Sequence, residues 1–268
     1  MQYDPVKKTL GRFFSGSLFL RKTFYFCLDI LLLRTWHVKK ALHKTKLPDK
    51  EVSILDAGCG FGQYTWRLCK MNSSWKITAV DIDNEHITDC ESFFSKAGLA
   101  HRTDFRTVDL TSFDDTDKYN LILSVDVMEH IEDDISVFRN FHRALRENGT
   151  LVISTPSDKG GSDVHNEGEH SFIGEHVRDG YSIEDITGKL KSAGFRTVSA
   201  SYTYGLPGTI SWRLTMKYPI QMLNISYLFF LILPVWYIVF LPLSLILNYM
   251  DVKISHKEGT GLLVTASK

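Results

Sequence analysis

The sequence has no excess of charge of either sign and few cysteines. Its 268 residues include 31 basic and 31 acidic side chains, so the overall charge gives no reason to expect nucleic acid as a partner. The four cysteines show no C-x-x-C spacing and no small-domain disulfide framework, which favours reduced thiols in the cytosol. A chain of this length can bury one sizeable core, so we expect one catalytic domain with additions.

Residues 52–66 predict a strand, a tight turn and a helix. The apolar run at the start of this segment ends at Asp56, and glycines follow at positions 58, 60 and 62. Glycines let the main chain turn sharply and let a ligand approach more closely than a Cβ would allow. The spacing G-x-G-x-G differs from the dinucleotide loop G-x-G-x-x-G and from the phosphate loop. By itself the turn predicts only a nucleotide-like ligand.

With an acid two positions before its first glycine, this turn resembles the first motif of the class I S-adenosylmethionine-dependent methyltransferases. The resemblance implies a Rossmann-like α/β fold with a mainly parallel seven-stranded sheet and an antiparallel last strand. It also implies S-adenosylmethionine as the cofactor. A nicotinamide-dependent Rossmann enzyme is an alternative that the glycine spacing and Asp56 disfavour.

Acidic residues also follow the next predicted strands. Asp81 lies about twenty residues after the first glycine, where an acid can accept hydrogen bonds from both ribose hydroxyls. Asp83 is the competing candidate, and Asn84 is predicted to cap the following helix. By the resemblance, Asp109 meets the adenine amino group, although a loop-capping aspartate would look the same.

The run S-V-D-V-M-E-H-I at residues 124–131 resembles the quinone and small-molecule branch of the same family. The resemblance implies that residues 124–127 line the methionine end of the cofactor and that Glu129 and His130 open towards the substrate. The residues expected at the cofactor are Asp56, Gly58, Gly60, Gly62, Asp81, Ile82, Asp109, Leu110, Val125 and Asp126.

Residues 156–181 form a polar, histidine-rich segment that is too long for a simple connection and is expected to be functional. Methyl transfer depends largely on positioning, but a group of suitable pKa could take a proton from a phenol or carboxylate acceptor. The catalytic candidates are Glu129, His130, His170 and His176, and each histidine is equally an ordinary loop residue.

Glu129 with His130, or Glu169 with His170, could hold a divalent metal, but this spacing is too common to assign a metal site. Arg178 could instead bind an anionic head group.

The two ends of the chain carry additions. Residues 1–47 hold ten basic and two acidic side chains, and the apolar part at 13–38 is too interrupted by charge to span a bilayer. We expect an amphipathic helix on a membrane face or over a substrate pocket. An ordinary helix packed on the core is an equal alternative.

Residues 205–259 interrupt the expected turn from the sixth strand to the antiparallel seventh. Within them, residues 223–247 are uncharged and long enough to cross a bilayer. A single crossing, however, would place the last β-strand on the far side of the membrane, where it could not rejoin the sheet. Pro234 and Pro242 favour kinks. We expect a bent helical pair dipping into one leaflet from the cytoplasmic side, with a buried dimer interface or a closed substrate chamber as the alternative.

The predicted organisation is therefore a basic helical segment at 1–47, a methyltransferase domain at 48–204 plus 260–268, and an apolar insertion at 205–259. The predicted function is methyl transfer from S-adenosylmethionine to a hydrophobic or lipidic small molecule at a membrane surface, such as a phenol, a quinone precursor, a polyene or a lipid head group. A non-catalytic cofactor-binding membrane adaptor is the alternative.

Overall fold

A computed structural model describes residues 17–47, 52–160 and 177–268, in which strands and helices alternate. The strands are β1 (Ser53–Ala57), β2 (Lys76–Asp81), β3 (Thr103–Thr107), β4 (Tyr119–Val125), β5 (Leu145–Pro156), β6 (Thr197–Thr203) and β7 (Gly261–Ser267). They form a seven-stranded sheet in the order β3-β2-β1-β4-β5-β7-β6. Strand β7 is antiparallel to both neighbours and the other pairs are parallel, which confirms the predicted fold class.

The helices are α1 (Leu18–Leu31), α2 (Leu33–Lys44), α3 (Gln63–Met71), α4 (Asn84–Lys96), α5 (Asp134–Ala144), α6 (Ile183–Ser192), α7 (Leu206–Trp212), α8 (Tyr218–Ile225) and α9 (Leu233–Lys253). Their starts follow local capping chemistry, because Asp133 and Ser182 each accept a hydrogen bond from a backbone N–H in the first turn of α5 and α6. The predicted cap of α4 was wrong by one residue. Asp83, not Asn84, is the cap and accepts from the Glu85 N–H at 2.7 Å.

The core has one layer on each face of the sheet. Helices α5 and α6 cover one face, and α2, α3 and α4 cover the other. The central strand β4 is buried on both faces at Leu121, Ile122 and Leu123, as is typical of parallel strands. This sandwich leaves the carboxyl ends of the strands as the edge where a ligand can bind.

Helix α1 and the start of α2 lie at this carboxyl edge, where Arg21 binds the Phe61 carbonyl and Arg34 pairs with Asp126, and a break at Leu32 separates the two helices. Several of their charged side chains point into the domain, and Arg21 is only 3 % exposed. Residues 1–16 lie outside the described ranges. The described part of this segment packs on the domain, which agrees with the predicted alternative of an ordinary helix packed on the core.

The insertion forms a helical hairpin at residues 206–253, which we call the apolar hairpin. Helix α7, a π-helical turn at Arg213–Lys217 and α8 form the outgoing leg, and α9 forms the returning leg. The Trp236 Nε1–H donates to the Leu214 carbonyl at 2.9 Å, and the Tyr237 hydroxyl donates to the Thr215 carbonyl at 2.8 Å, so side chains of one leg bind the backbone of the other.

Both feet of the apolar hairpin stand at the carboxyl edge, because it leaves β6 at its carboxyl end and returns at the start of β7. The reversal occurs at residues 226–232, which include a short 3₁₀ helix. Pro234 lies in the first turn of α9, where proline is tolerated, so the expected kink at this residue was wrong. Pro242 does lie inside α9.

Candidate functional site

The glycine turn between β1 and α3 is fixed by the backbone of the next strand. The N–H groups of Gly58 and Cys59 both donate to the Val80 carbonyl, at 2.8 and 2.9 Å. Gly58 has φ +81°, and a Cβ there would lie 2.2 Å from the Cγ2 atom of Val127. The first glycine is therefore required both by its left-handed backbone and by the close approach of the segment after β4.

The second glycine borders open space. Gly60 has φ +50°, and a Cβ built on it would meet no atom within 4 Å. Its N–H donates to Asp81 Oδ2 at 2.8 Å, and the N–H of Asp83 donates to Asp81 Oδ1 at 2.9 Å. The carboxylate at the end of β2 thus lies beside the opening at Gly60, and two of its lone pairs are bound by backbone donors.

Asp81 is held in its charged form. Burial raises its pKa, but His86 and the two backbone donors together outweigh that effect, and the pKa lies below its usual value. Carboxylate oxygens offer about four lone-pair directions, so the side chain retains acceptor capacity beyond its two backbone bonds. Asp81 can therefore accept further hydrogen bonds from a ligand.

Asp56 has a different environment beneath the same turn. It is 2 % exposed and accepts a hydrogen bond from the Thr65 hydroxyl of α3 at 2.5 Å. Burial, together with the nearby charge of Asp81, raises the pKa of Asp56 to about 7. This side chain joins β1 to α3.

At the next strand end, Asp109 accepts hydrogen bonds from the N–H and the hydroxyl of Thr111, at 2.9 and 2.8 Å. It therefore caps the short 3₁₀ helix at Leu110–Ser112, as the loop-capping interpretation predicts. Leu110 is buried, whereas Ile82, after β2, is 72 % exposed. These three side chains flank the edge next to Asp81.

Beyond β4, the chain passes through Asp126 in a left-handed conformation with φ +53°. Its carboxylate forms an ion pair with the Arg34 guanidinium of α2. The Arg34 N–H donates to the hydroxyl of Tyr204 at 3.0 Å, and Tyr204 also has a positive φ. Two strained non-glycine residues therefore contact one arginine at the strand ends, and such strain is common at functional sites.

A family model described as a methyltransferase domain matches residues 48–191. That is more than half of the chain. The chain belongs to the class I S-adenosylmethionine-dependent methyltransferases. S-adenosylmethionine is therefore its cofactor, and the family and cofactor predictions are confirmed.

Curated relatives of this methyltransferase match over a limited region. A ubiquinone biosynthesis O-methyltransferase of Pelagibacter ubique is 25 % identical over 108 residues, which cover 40 % of this chain and 43 % of the relative. A malonyl-[acyl-carrier protein] O-methyltransferase of Ilyobacter polytropus is 27 % identical over 110 residues, covering 41 % and 40 %. The chain thus spans less than half the length of these relatives.

Among solved structures, a phosphoethanolamine N-methyltransferase of Haemonchus contortus in complex with S-adenosyl-L-methionine superposes with a TM-score of 0.60. It is 17 % identical and covers 87 % of this chain and 52 % of that one. The [4+2]-cyclase SpnF superposes with a TM-score of 0.58 at 15 % identity, covering 86 % and 80 %. These similarities establish the fold, and a fold by itself does not determine the reaction.

The glycine turn of the methyltransferase fits this cofactor. The opening that a Cβ at Gly60 would fill lies beside Asp81, a charged acceptor with free lone pairs. A ligand carrying vicinal hydroxyls can approach the backbone there without a steric clash.

Among the predicted catalytic residues, Glu129 is 1 % exposed and accepts a hydrogen bond from the Thr155 hydroxyl at 3.1 Å. Burial and the charge of Asp126 raise the pKa of Glu129 to about 8, while Arg34 and Thr155 limit the rise. His130, the next residue, is exposed. Glu169, His170 and His176 lie outside the described residues.

The structure does not support the suggested metal pair, Glu129 with His130, or the suggested anion-binding role of Arg178. Glu129 is buried and His130 is exposed, and no cluster able to hold a metal ion occurs within the described ranges. Arg178 forms an ion pair with Asp134 and donates to the carbonyl of Ile131 at 2.6 Å. The guanidinium of Arg178 is therefore bound within the domain, contrary to the suggestion that it binds an anionic ligand.

The sequence reasoning missed the contact of α1 with the glycine turn. Arg21 Nη2 donates to the Phe61 carbonyl at 2.7 Å, the Tyr25 hydroxyl donates to the same carbonyl, and Arg21 pairs with Asp89 of α4. The charges that interrupt the apolar segment 13–38 were the available signal, since a buried charge needs a partner.

Proposed function

We propose that this chain transfers a methyl group from S-adenosylmethionine to a hydrophobic or lipidic small molecule at the cytoplasmic surface of a membrane. The observation that carries the proposal is that the apolar hairpin stands on the same sheet edge as the glycine turn. A substrate held in lipid would reach this edge without crossing much water. The proposal divides the chain into a helical segment at 1–47, a catalytic domain at 48–204 with 260–268, and a membrane device at 205–259.

The exposed surface of the hairpin supports attachment to lipid. Leu228, Leu231 and Ile238 are 74, 79 and 74 % exposed, and many other apolar side chains of the hairpin are exposed as well. Apolar surface of this extent on a protein marks an interaction site. Helix α9 is long and apolar enough to cross a membrane, and only 17 % of its apolar window is buried, whereas a core helix would be mostly buried.

The return of the hairpin supports monotopic attachment over a single crossing. Strand β7 pairs with both β5 and β6, so the chain must come back to the side from which it left. The uncharged part of α9, residues 233–250, has a length of about 27 Å at 1.5 Å per residue. This is close to the roughly 30 Å hydrocarbon thickness of a bilayer, so the return of the chain to the sheet, and not the length of α9, favours monotopic attachment.

The cofactor assignment follows the geometry at the strand ends. We assign Asp81 to the ribose hydroxyls, Asp109 with Ile82 and Leu110 to the adenine side, and Val125 with Asp126 to the methionine end. Gly58, Gly60 and Gly62 would let the backbone pass close to the ligand, and Asp56 would support the turn from below through Thr65. When bound, S-adenosylmethionine supplies a methyl group on an electrophilic sulfonium.

We assign proton transfer to the Glu129 carboxyl group rather than to His130. With its pKa raised to about 8, Glu129 carries its proton at neutral pH, so it becomes a base as the pH rises towards 8, where its charged form takes a phenol proton more readily than an exposed carboxylate does. The Thr155 hydroxyl donates to one carboxyl oxygen and holds the side chain in place. His170 and His176 stay candidates from the sequence. The names of the curated relatives favour an oxygen acceptor.

The decisive experiment is incubation of the full chain with methyl-labelled S-adenosylmethionine and a total lipid extract of the source cell, followed by mass analysis. We expect a labelled lipid-soluble product that is missing with Asp81→Ala. If the chain binds the cofactor but yields no methylated product, the result would favour the alternative function, a non-catalytic membrane adaptor.

A further inference from the structure

A groove runs beside α2, along the exposed face of β6 and β7, and ends at the foot of the apolar hairpin. Its volume is about 500 Å³. We call it the basic groove, and its charged and polar lining includes Lys40, Lys44, Lys46, His37, His256 and Ser201. It lies apart from the glycine turn and from Glu129, so neither the cofactor nor the proton acceptor uses it.

Among the described residues, the three lysines of the basic groove carry positive charge without a carboxylate partner. Three lysines and two histidines line it, and no aspartate or glutamate does. Among the described residues, no carboxylate forms an ion pair with Lys40, Lys44 or Lys46. Cations held near one another without a counter-charge favour the binding of an anion.

The surroundings of Lys40 show the same surplus of charge. Burial together with the nearby charges of Lys44 and Lys253 lowers the pKa of Lys40. Its ammonium donates to the Val252 carbonyl at the end of α9, which fixes the lysine against the hairpin foot. An anion placed between these cations would relieve their mutual repulsion.

The nearby buried carboxylate is already used. Asp251 is fully buried, and it accepts hydrogen bonds from His37 Nε2 at 2.8 Å and from the Gly208 N–H at 2.9 Å. His256 Nε2 lies 3.2 Å from Asp251 Oδ2, the oxygen that also accepts from Gly208. This carboxylate therefore fixes the two histidines and the hairpin foot and leaves the three lysines to an external anion.

The position of the groove relative to the hairpin defines the source of that anion. Val252, Ile254 and Ser255 line the groove directly after the uncharged part of α9. With the hairpin in one leaflet, these residues lie at the level of the lipid head groups, where anionic lipids attract basic side chains.

We propose that the basic groove binds the phosphate of an anionic phospholipid head group, with Lys40, Lys44 and Lys46 as the cationic partners. Ammonium groups bind phosphate as point charges, and the hydroxyl of Ser199, which also lines the groove, supplies a further donor. Occupation of the groove would orient the domain with its carboxyl edge towards the membrane. The inference rests on the proposed membrane attachment.

The test compares binding of the full chain to vesicles of phosphatidylcholine alone and of phosphatidylcholine with phosphatidylglycerol. We expect tighter binding to the anionic vesicles, and a loss of about 10-fold to 100-fold on these vesicles in the variant K40Q/K44Q/K46Q. Binding to neutral vesicles and cofactor binding should not change, and thermal unfolding checks that the loss of the Lys40–Val252 hydrogen bond leaves the protein folded. The matched control K70Q/K76Q/K96Q removes three exposed lysines elsewhere and should bind as the wild type does.

The outcomes separate the two proposals. If the wild type binds neither kind of vesicle, membrane attachment itself fails. If it binds vesicles but both triple variants lose affinity equally, the groove is not a specific site and the inference is overturned. A calorimetric titration with glycerol 3-phosphate tests whether the groove binds a soluble phosphate compound instead of a lipid. If this compound binds in a way that depends on the three lysines, and the protein shows no preference for anionic vesicles, the lipid assignment is overturned.

Discussion

The guanidinium of Arg34 in α2 pairs with the carboxylate of Asp126, the residue that follows β4. Through its backbone N–H, Arg34 also holds the Tyr204 hydroxyl, and Tyr204 is the residue that leads into the apolar hairpin. Three parts of the chain that are far apart in sequence thus meet within one hydrogen-bonded group. Glu129 is electrostatically coupled to the same group, because the charges of Asp126 and Arg34 act on its pKa in opposite directions.

Glu129→Gln should remove a specific pH dependence of stability. The folded protein keeps the Glu129 proton up to a pKa of about 8, whereas the unfolded chain loses it near pH 4.3. Between these values the folded state binds more protons, so the free energy of unfolding falls as pH rises. Urea unfolding measures this free energy. Between pH 5 and pH 8.5, the free energy of unfolding of the variant should rise by more than about 1 kcal/mol relative to that of the wild type. The control Glu132→Gln changes an exposed neighbour and should show no such rise. An equal change in the two variants would contradict the assignment of this pH dependence to Glu129.

Arg34→Gln should move the same titration upwards. The guanidinium lowers the pKa of Glu129 by favouring its charged form, so its loss leaves Asp126 to repel that charge unopposed. We expect the loss of stability with rising pH to extend to higher pH than in the wild type. Urea unfolding at several pH values measures the shift, and identical pH profiles for the two proteins would exclude the coupling.

Asp81→Ala should weaken the binding of S-adenosylmethionine by more than about tenfold, because hydrogen bonds to a charged acceptor contribute about 1.5–3 kcal/mol. Asp83→Ala is the control. It removes the cap of α4 and should cost about 1 kcal/mol of stability while leaving affinity nearly unchanged. Calorimetry with the purified proteins measures both, and an equal loss of affinity would move the ribose assignment away from Asp81.

Gly60→Ala and Gly58→Ala should separate binding from folding. At Gly60 the added Cβ enters open space, so the cost is mainly the left-handed backbone, about 1 kcal/mol, yet cofactor affinity should fall at least about tenfold. At Gly58 the Cβ meets Val127, and the free energy of unfolding should fall by about 3 kcal/mol. Thermal unfolding and calorimetry on both variants decide. Full cofactor affinity in Gly60→Ala would show that the opening is not the cofactor site.

Leu228→Glu with Leu231→Glu should release the protein from membranes, because each charge at the apolar tip costs about 2.5–3.5 kcal/mol in a bilayer interior. High-speed centrifugation of the untagged protein at low salt without detergent measures the distribution. The control Ser95→Glu with Ala100→Glu adds the same charge at exposed sites outside the hairpin. Wild-type protein found wholly in the supernatant would refute attachment.

The central part of the fold follows from local sequence. Buried strands, glycines with left-handed backbones and acids at strand ends each leave a short-range pattern, so β1, the turn and α3 were predicted with bounds close to those observed. The antiparallel last strand came from the family resemblance and is also observed.

The contacts made across long stretches of sequence could not be predicted in the same way. The Phe61 carbonyl that receives Arg21 and Tyr25 is a backbone group, and nothing in the sequence marks which carbonyl is left to accept. The bent helical pair was predicted, but the position of its reversal at residues 226–232 was not, because it depends on where the two legs pack against one another, whereas Pro234 simply starts a helix. The raised pKa of Glu129 depends on burial, which periodicity alone does not give.

The apolar hairpin leaves and rejoins the sheet at a single point. Thr203 and Gly261 lie opposite each other in the ladder between β6 and β7, and the Thr260 N–H donates to the Tyr204 carbonyl at 3.3 Å. A two-residue turn could bridge this gap without changing the register of any strand. The apolar hairpin is therefore an insertion between two residues that the sheet already holds opposite each other, and its foot is tied to the domain where Asp251 accepts a hydrogen bond from His37.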